Sequence, residues 1–242
     1  MIYELLRMGV CSFNAGLKDP TKCICKRGMP ISSDAAFAIE EEKAYITAVR
    51  NNYYSPSSSR RWKDVDSLDQ FLTAYRMSRV LPSQPLRRRK LVSLLQSVPQ
   101  YLTMIEENKL EDQNLEDTST RDTVRRLYEL VNNSLRTKKI RENATAVGKV
   151  LHILQPEFFV IWDNRIRQPR QFDRSFEGYW DYLRTAQRGI IEALDDFKRI
   201  SKNPNATSRS IEEELYENHV KPITKVYDEA CWAMVQGWLH FY

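Results

Sequence analysis

Apolar residues recur at helical spacing along almost the whole chain, and this periodicity limits the possible folds more than any other feature. In residues 33–53, for example, Ala38, Ile39, Tyr45 and Val49 fall on one face of a helix. Asn-Gly and Asp-Gly pairs, which are typical of tight β-hairpins, do not occur. With only 7 glycines in 242 residues, the composition also disfavours a protein of sheets and tight turns. We therefore predict an all-α fold.

Polar residues that precede the apolar stripes predict where individual helices begin. Ser67 precedes one stripe, and Ser119 or Thr120 precedes another, so these residues are the expected N-caps. A long helix is predicted from about Phe176 to Ile200. The segment 201–210, SKNPNATSRS, is predicted to be a loop that follows it.

The domain organisation stays open between one unit and two lobes. A chain of 242 residues that is 42% hydrophobic can bury one large core or two small ones. The first alternative is a single all-α unit over residues 1–242. In the second, residues 31–135 form one helical lobe, and residues 1–30 pack with residues 136–242 in the other.

Several classes of protein are disfavoured by what the sequence lacks. No run of 18 apolar residues occurs, which argues against a membrane span, and the amino terminus does not resemble a signal peptide. The cysteines and histidines are few and show no metal-ligand spacing. We therefore expect a cytoplasmic protein with reduced thiols, no metal and no cofactor. The residues in question are Cys11, Cys23, Cys25, Cys231, His152, His219 and His240.

Positive charge is concentrated in one part of the chain. The net charge is +5, and residues 135–174 alone contain nine cations against four anions, which is the same excess. Nucleic acid and other anionic partners are therefore the first candidates. The nine cations are Arg136, Lys138, Lys139, Arg141, Lys149, Arg165, Arg167, Arg170 and Arg174.

Asp163 lies within this basic region, directly after the apolar run FFVIW. One interpretation is structural, because an Asp before a helix often accepts hydrogen bonds from backbone N–H groups. The other is functional, because a carboxylate that stays ionised beside cations can orient water or stabilise an oxocarbenium ion. Arg and Lys side chains around it would meanwhile bind phosphates. Together these features suit cleavage of an N-glycosidic bond in a nucleic acid.

The segment Ala144–Arg170, ATAVGKVLHILQPEFFVIWDNRIRQPR, resembles the catalytic segment of the helix-hairpin-helix DNA glycosylases, the superfamily of endonuclease III and the adenine-mismatch glycosylases. In that superfamily a Thr-Ala helix start leads through an apolar helix and a hydrophobic link to an Asp and a basic helix. Here Thr145 precedes Asp163 by 18 residues, close to the family's spacing. The resemblance implies that Asp163 is the catalytic carboxylate and that Arg165 and Arg167 lie in the helix after it.

The chain also departs from the family's pattern. The residues before Thr145 are KKIRENA and contain no glycine, so Lys138, Lys139 and Arg141 would replace a Gly-rich hairpin in binding DNA phosphate. Lyase-active members have a Lys where this chain has Ala144, and Lys149 is the candidate amine in its place. The four-Cys iron–sulfur loop of some members is absent.

Other residues are candidates for binding the base or the nucleic acid backbone. Glu42 falls within the apolar stripe of residues 33–53, where it is either a structural ion pair or a contact to an extruded base. Trp162 is the aromatic candidate for the same base pocket. Arg170 joins the phosphate-binding set. The run Arg87–Lys90 is either a solvated face or a second phosphate-binding patch.

Two hypotheses follow. The first is a DNA glycosylase that removes a damaged or modified base extruded from double-stranded DNA, with Asp163 at its centre and a nucleoid-associated location. The second is a non-catalytic all-α module that binds nucleic acid or an acidic protein, with Asp163 as a helix cap. Neither the base nor the oligomeric state follows from the sequence.

Overall fold

The computed structural model is α-helical, which confirms the predicted fold class. It describes residues 41, 43–51, 64–75, 77, 81–105, 109–137, 143–168, 170–215 and 221–235. This part of the chain is 74% helical and contains no strand. Among the same residues, no helix combines the length and the apolar character that crossing a bilayer requires.

The helices are labelled in chain order. Their bounds are: α1, residues 43–51; α2, Val65–Ala74; α3, Gln84–Ser97; α4, Pro99–Leu102; α5, Thr118–Leu135; α6, Ala144–Leu154; α7, Asn164–Arg167; α8, Phe176–Ser201; α9, Ser208–Leu215; α10, Ile223–Val235. The predicted long helix is α8. The predicted loop over residues 201–210 was wrong at both ends, because Ser201 still belongs to α8 and residues 208–210 form the start of α9.

Helices α2 and α5 are capped by Asp carboxylates, whereas the sequence predicted Ser or Thr caps. Asp64 Oδ1 accepts hydrogen bonds from the backbone N–H groups of Asp66 and Ser67, at 3.0 Å each, so α2 begins before Ser67. Asp117 Oδ2 accepts a hydrogen bond of 2.9 Å from Thr120 N at the start of α5. The predicted caps were therefore wrong by two or three residues, because an Asp two to three positions earlier reaches the same unpaired N–H groups.

Helix α6 is central to the packing. It contacts α2, α5 and α8, and all of its residues are buried, including the polar side chains of Lys149 and His152. A cluster of buried apolar side chains extends from Tyr45 to Cys231 and includes α6. Both halves of the described chain contribute to this cluster, and the division into two lobes stays a prediction.

The apolar residues that link α6 to α7 are buried, and α8 satisfies part of their backbone. Tyr179 Oη donates to the carbonyl oxygen of Val160 at 3.1 Å, and Tyr182 Oη donates to that of Ile161 at 3.3 Å. These bonds matter because a buried carbonyl without a partner is costly. The two tyrosines therefore help to fix the path of the chain immediately before Asp163.

Candidate functional site

Asp163 lies at the amino-terminal end of the short helix α7. Its carbonyl oxygen accepts hydrogen bonds from Ile166 N at 3.1 Å and Arg167 N at 2.9 Å. The preceding residue, Trp162, is buried, whereas the Asp163 side chain is 29% exposed. The carboxylate therefore lies at the edge of the core and can be approached from solvent.

Lys149 brings an amine to this carboxylate from the middle of α6. Its Nζ lies 3.9 Å from Asp163 Oδ2, and its side chain is only 5% exposed. The same Nζ lies 4.1 Å from the centre of the Tyr75 ring, at the end of α2. A cation over an aromatic face is favourable, so Tyr75 helps to hold the amine in this position. The structure thus brings together the two residues that were predicted to be catalytic.

Burial lowers the pKa of the Lys149 amine, because the charged form is poorly solvated inside the protein. The negative charges of Asp163, Glu41 and Asp228 act in the opposite direction, whereas the positive charge of Lys225 lowers the pKa further. Nucleophilic chemistry requires the neutral form of an amine, and a depressed pKa increases the fraction of that form. Burial and the neighbouring carboxylates thus act on the Lys149 amine in opposite directions.

His152 lies one turn beyond Lys149 on α6, in a fully buried position. Its Nδ1 lies 2.5 Å from the carbonyl oxygen of Phe159, and its Nε2 lies 3.0 Å from Tyr45 Oη. Burial lowers the pKa of His152 to about 3, so the ring is neutral. A neutral ring must donate from Nδ1 to the carbonyl and accept from the Tyr45 hydroxyl at Nε2. His152 therefore holds α1, α6 and the apolar link together.

A second group of charges faces the same region from α10. Lys225 Nζ lies 2.7 Å from Asp228 Oδ2 and 3.5 Å from Glu229 Oε1, and it lies 5.3 Å from the centre of the Tyr45 ring. Lys221 Nζ donates to Glu229 Oε1 at 2.9 Å. Burial raises the pKa of Asp228, and the charge of Lys225 opposes that shift. These four charged residues of the 221–229 segment are buried.

Sequence reasoning did not single out the charges of α10. The signal was nevertheless present, because Lys225, Asp228 and Glu229 have a spacing of three and four residues within a stripe that includes Val226 and Ala230. A charge inside an apolar stripe indicates a paired or functional group. Glu42 is a charge of the same kind within the apolar stripe of residues 33–53.

The predicted phosphate-binding cations differ in their exposure to solvent. Arg167 is 8% exposed, and its guanidinium donates to the Phe172 carbonyl at 2.8 Å and contacts Asn164 Oδ1 at 3.3 Å. Its donors are engaged inside the protein in this conformation, and its role as a nucleic-acid contact stays a prediction. Arg170 is exposed and contacts Tyr227 Oη at 3.3 Å. Lys138, Lys139, Arg141 and the Arg165 side chain lie outside the described residues, as does Glu42.

Trp162, the predicted base-pocket aromatic, lies in the core, and its role in binding a base stays a prediction. It is 1% exposed, and its ring stacks with those of Tyr179 and Tyr182, at centroid distances of 5.1 Å and 6.0 Å. The ring is part of the core in this conformation and offers no free face to a base. Its Nε1 is buried without a hydrogen-bond partner.

The basic run on α3 contains both buried and exposed side chains. Arg87 is buried in an ion pair with Asp69, and Arg88 forms an exposed pair with Asp66. Lys90 Nζ donates to the carbonyl oxygen of Arg136 at 3.2 Å, which joins α3 to the carboxyl end of α5. This contact brings the α3 run next to the start of the basic region identified in the sequence.

Comparisons with known proteins add no assignment. No family model matches the chain, and no curated protein and no solved structure is significantly similar to it. Within the described part of the chain, no group of three His, Cys, Asp or Glu side chains is arranged to hold a metal ion.

Proposed function

We propose that the protein is a DNA glycosylase-like enzyme that removes a damaged or modified base. The observation that carries the proposal is the pair of Lys149 and Asp163, with Nζ and Oδ2 3.9 Å apart at the edge of the core. One member is buried and the other is partly exposed. A carboxylate that a sugar can reach, next to an amine of depressed pKa, fits chemistry at the C1′ carbon of a nucleotide.

In the proposed reaction the target nucleotide is first extruded from the duplex, since the bond is inaccessible within the stack. The bond between C1′ and the base nitrogen then breaks, and the electron pair leaves with the base. Asp163 stabilises the positive charge that develops on the sugar and orients the water that adds to C1′; the carboxylate takes up the proton that this water loses, and the departing base takes up a proton from solvent. Lys149 is the second catalytic group: its neutral amine can add to C1′ in place of water and lose one proton to the Asp163 carboxylate.

Binding to duplex DNA would depend on cations around this pair. Arg170 is exposed, and Lys90 and Arg136 are joined by the contact between α3 and α5. We add Lys138, Lys139, Arg141 and Arg165 to this set from the sequence. An enzyme of this type would act in the cytoplasm, in association with the nucleoid.

A non-catalytic, nucleic-acid-binding or protein-interaction module is the second candidate. Two observations favour it: the Trp162 ring is closed into the core, and Tyr75 covers the amine of Lys149 at 4.1 Å. In that case the pair of Lys149 and Asp163 is an ion pair that stabilises the fold.

The deciding experiment is a single-turnover excision assay on a panel of duplexes that each contain one damaged or modified base, followed by alkali cleavage. We expect wild-type protein to release one class of base, and Asp163→Asn to lose this activity while still binding the duplex. Asp195→Asn is the matched control, because Asp195 and Lys198 form a pair at the same 3.9 Å distance on the exposed face of α8. Full activity in Asp163→Asn would overturn the proposal.

A binding measurement at two salt concentrations shows whether the protein binds DNA, as the glycosylase and the nucleic-acid-binding module both require. If several cations contact phosphates, affinity falls steeply with salt, by a slope of roughly 0.9 for each contact. Salt-dependent binding without excision of any base would favour the module. No binding at low salt would exclude both nucleic-acid readings.

A further inference from the structure

Arg170 lies at the surface just beyond α7, but contacts to α10 hold its guanidinium in place. Nη1 donates to Tyr227 Oη at 3.3 Å, and Nη2 donates to Cys231 Sγ at 3.6 Å. Both partners are buried and lie one helical turn apart on α10. The Tyr227 ring packs directly against Gly189 of α8, where a Cβ atom would lie only 2.6 Å from Cε2. The packing of α7, α8 and α10 therefore sets the orientation of Arg170.

Arg170 forms no ion pair in the described part of the chain. Its two partners are neutral, since burial raises the pKa of the Cys231 thiol to about 11 and also raises the pKa of the Tyr227 hydroxyl. The next carboxylate along the chain, Asp173, bonds instead to the backbone N–H and the hydroxyl of Ser175. The positive charge of Arg170 thus has no carboxylate bonded to it.

Arg167, three residues earlier, has the same character. Its guanidinium bonds to the carbonyl oxygen of Phe172 and to the side-chain oxygen of Asn164, which are neutral. By contrast, the guanidinium groups of Arg87 and Arg184 bond to carboxylates. The end of α7 therefore carries two arginines without ion pairs among the described residues.

A guanidinium has five N–H donors, and the contacts to Tyr227 and Cys231 use two of those of Arg170. The remaining donors can bind an anion from solution, and the planar group matches the oxygens of a phosphate. Because the side chain is already held in place, binding such an anion costs little additional conformational entropy.

We propose that Arg170 is a phosphate-binding residue and that Tyr227 is a positioning residue, which holds the guanidinium in the binding orientation. The identity of the ligand rests on the proposed function: it is a backbone phosphate of the DNA whose extruded nucleotide reaches Asp163. Arg170 follows Asp163 by seven residues, and α7 lies between them. A free phosphate offers the same chemistry, and the two arms of the test separate these sources.

The first arm measures the affinity of the full-length protein for a short undamaged duplex at several salt concentrations. We expect Arg170→Gln to weaken binding about tenfold at low salt, the effect of losing one hydrogen bond to a charged group. The salt slope should fall in magnitude by about 0.9. Arg199→Gln is the matched control, because it removes an equal charge that Asp196 already compensates. Equal effects of the two substitutions would exclude a duplex phosphate as the ligand.

Tyr227→Phe tests the positioning role, because it removes only the hydroxyl that accepts from Arg170. It should weaken duplex binding about threefold, since the guanidinium must then be ordered on binding, and leave the salt slope unchanged. In the Arg170→Gln background the same substitution should not change the affinity. A purely structural role for Tyr227 predicts the same effect in both backgrounds, and that result would overturn the positioning role.

Arg170→Lys keeps the test decisive if Tyr227→Phe does not fold, as judged by circular dichroism. Lys retains the charge but cannot bond to Tyr227 and Cys231 with the same planar fork. We expect the wild-type salt slope together with weakened binding. Wild-type affinity in this variant would overturn the positioning role.

The second arm adds sodium phosphate and follows the Nε–Hε signal of Arg170 by ¹⁵N NMR, assigned by its loss in Arg170→Gln. A phosphate-induced shift without duplex binding would support the phosphate site and refute the proposed function. Duplex binding that depends on Arg170, but without excision of any base, would also refute the proposed function alone. Excision with neither a change of slope in Arg170→Gln nor a phosphate-induced shift would overturn the phosphate site alone. The absence of duplex binding and of any shift would overturn both.

Discussion

Gly148 and Trp162 approach each other so closely that a side chain at position 148 has almost no room. A Cβ atom there would lie 3.0 Å from Trp162 Cβ and 3.1 Å from Trp162 N. The contact places α6 directly against the link that leads to Asp163. Trp162 cannot move aside easily, because its ring is buried against Tyr179 and Tyr182.

We therefore expect Gly148→Ala to destabilise the protein by about 1 to 3 kcal/mol, the usual cost of overpacking a core. The sign of this stability change is informative, because Ala in place of Gly in an unobstructed helix stabilises the helix by up to about 1 kcal/mol. Urea denaturation of the two proteins measures the difference. A gain in stability would show that α6 does not press against the link.

Glu212 predicts a loss of stability as the pH rises. Its Oε1 accepts a hydrogen bond of 2.8 Å from Ile223 N at the start of α10, and burial raises its pKa from 4.5 to about 7. The folded state therefore binds this proton more tightly than the unfolded state. The stability that the proton provides is present below pH 4.5 and is lost as the pH rises to about 7.

Glu212→Gln should remove this dependence, because the amide oxygen can still accept from Ile223 N without carrying a charge. As the pH rises from 5 to 8, the free energy of unfolding of the variant should increase relative to that of wild type by on the order of 2 to 3 kcal/mol. Urea denaturation at both pH values gives the free energies of unfolding. Parallel curves for the two proteins would contradict the assignment.

His152 predicts the opposite dependence on pH. Burial lowers its pKa from 6.5 to about 3, so the unfolded chain takes up a proton at a pH where the folded protein does not. The contribution of the neutral ring is complete above pH 6.5 and is lost as the pH falls towards 3.

His152→Gln should cost about 1 to 3 kcal/mol at pH 7.5, because it disrupts the bonds to Tyr45 and Phe159. The variant should also lose less stability than wild type between pH 6.5 and pH 4. Thermal or urea unfolding across this range supplies the comparison. His219 and His240 are present in both proteins, so their contribution cancels in the difference.

The ion pairs between α2 and α3 predict a contrast between buried and exposed charges. The side chains of Arg87 and Asp69 are 4% and 6% exposed, whereas those of Arg88 and Asp66 are 49% and 62% exposed. Asp69→Asn should destabilise the protein by about 3 to 5 kcal/mol, because it leaves the buried guanidinium without a counter-charge. Asp66→Asn, the matched control, should cost less than about 1 kcal/mol. Similar losses in chemical denaturation would contradict this contrast.

The sequence was most informative where the physical cause is local. Helical periodicity depends on neighbours three and four residues apart, so the all-α class and the long helix α8 could be predicted. The caps at Asp64 and Asp117 were missed, because several polar residues near a helix start can reach the same N–H groups and the chain alone does not rank them.

The site was predictable only in part for a related reason. Lys149 and Asp163, which the motif selects, lie close together, whereas the pairing of Lys225 with Asp228 and the burial of both depend on how α10 packs against α7 and α8. Contacts between residues distant in sequence decide which charges are buried together. The burial of Arg167 is of the same kind, since its partner Phe172 lies beyond the end of its own helix.

The way in which Lys221 and Lys225 join Asp228 and Glu229 has a consequence for the evolution of this chain. A substitution at any one of the four positions leaves an uncompensated charge in the interior, so single steps are disfavoured. In diverging descendants we expect the four to be inherited as a set, or to be exchanged together for neutral residues of similar volume.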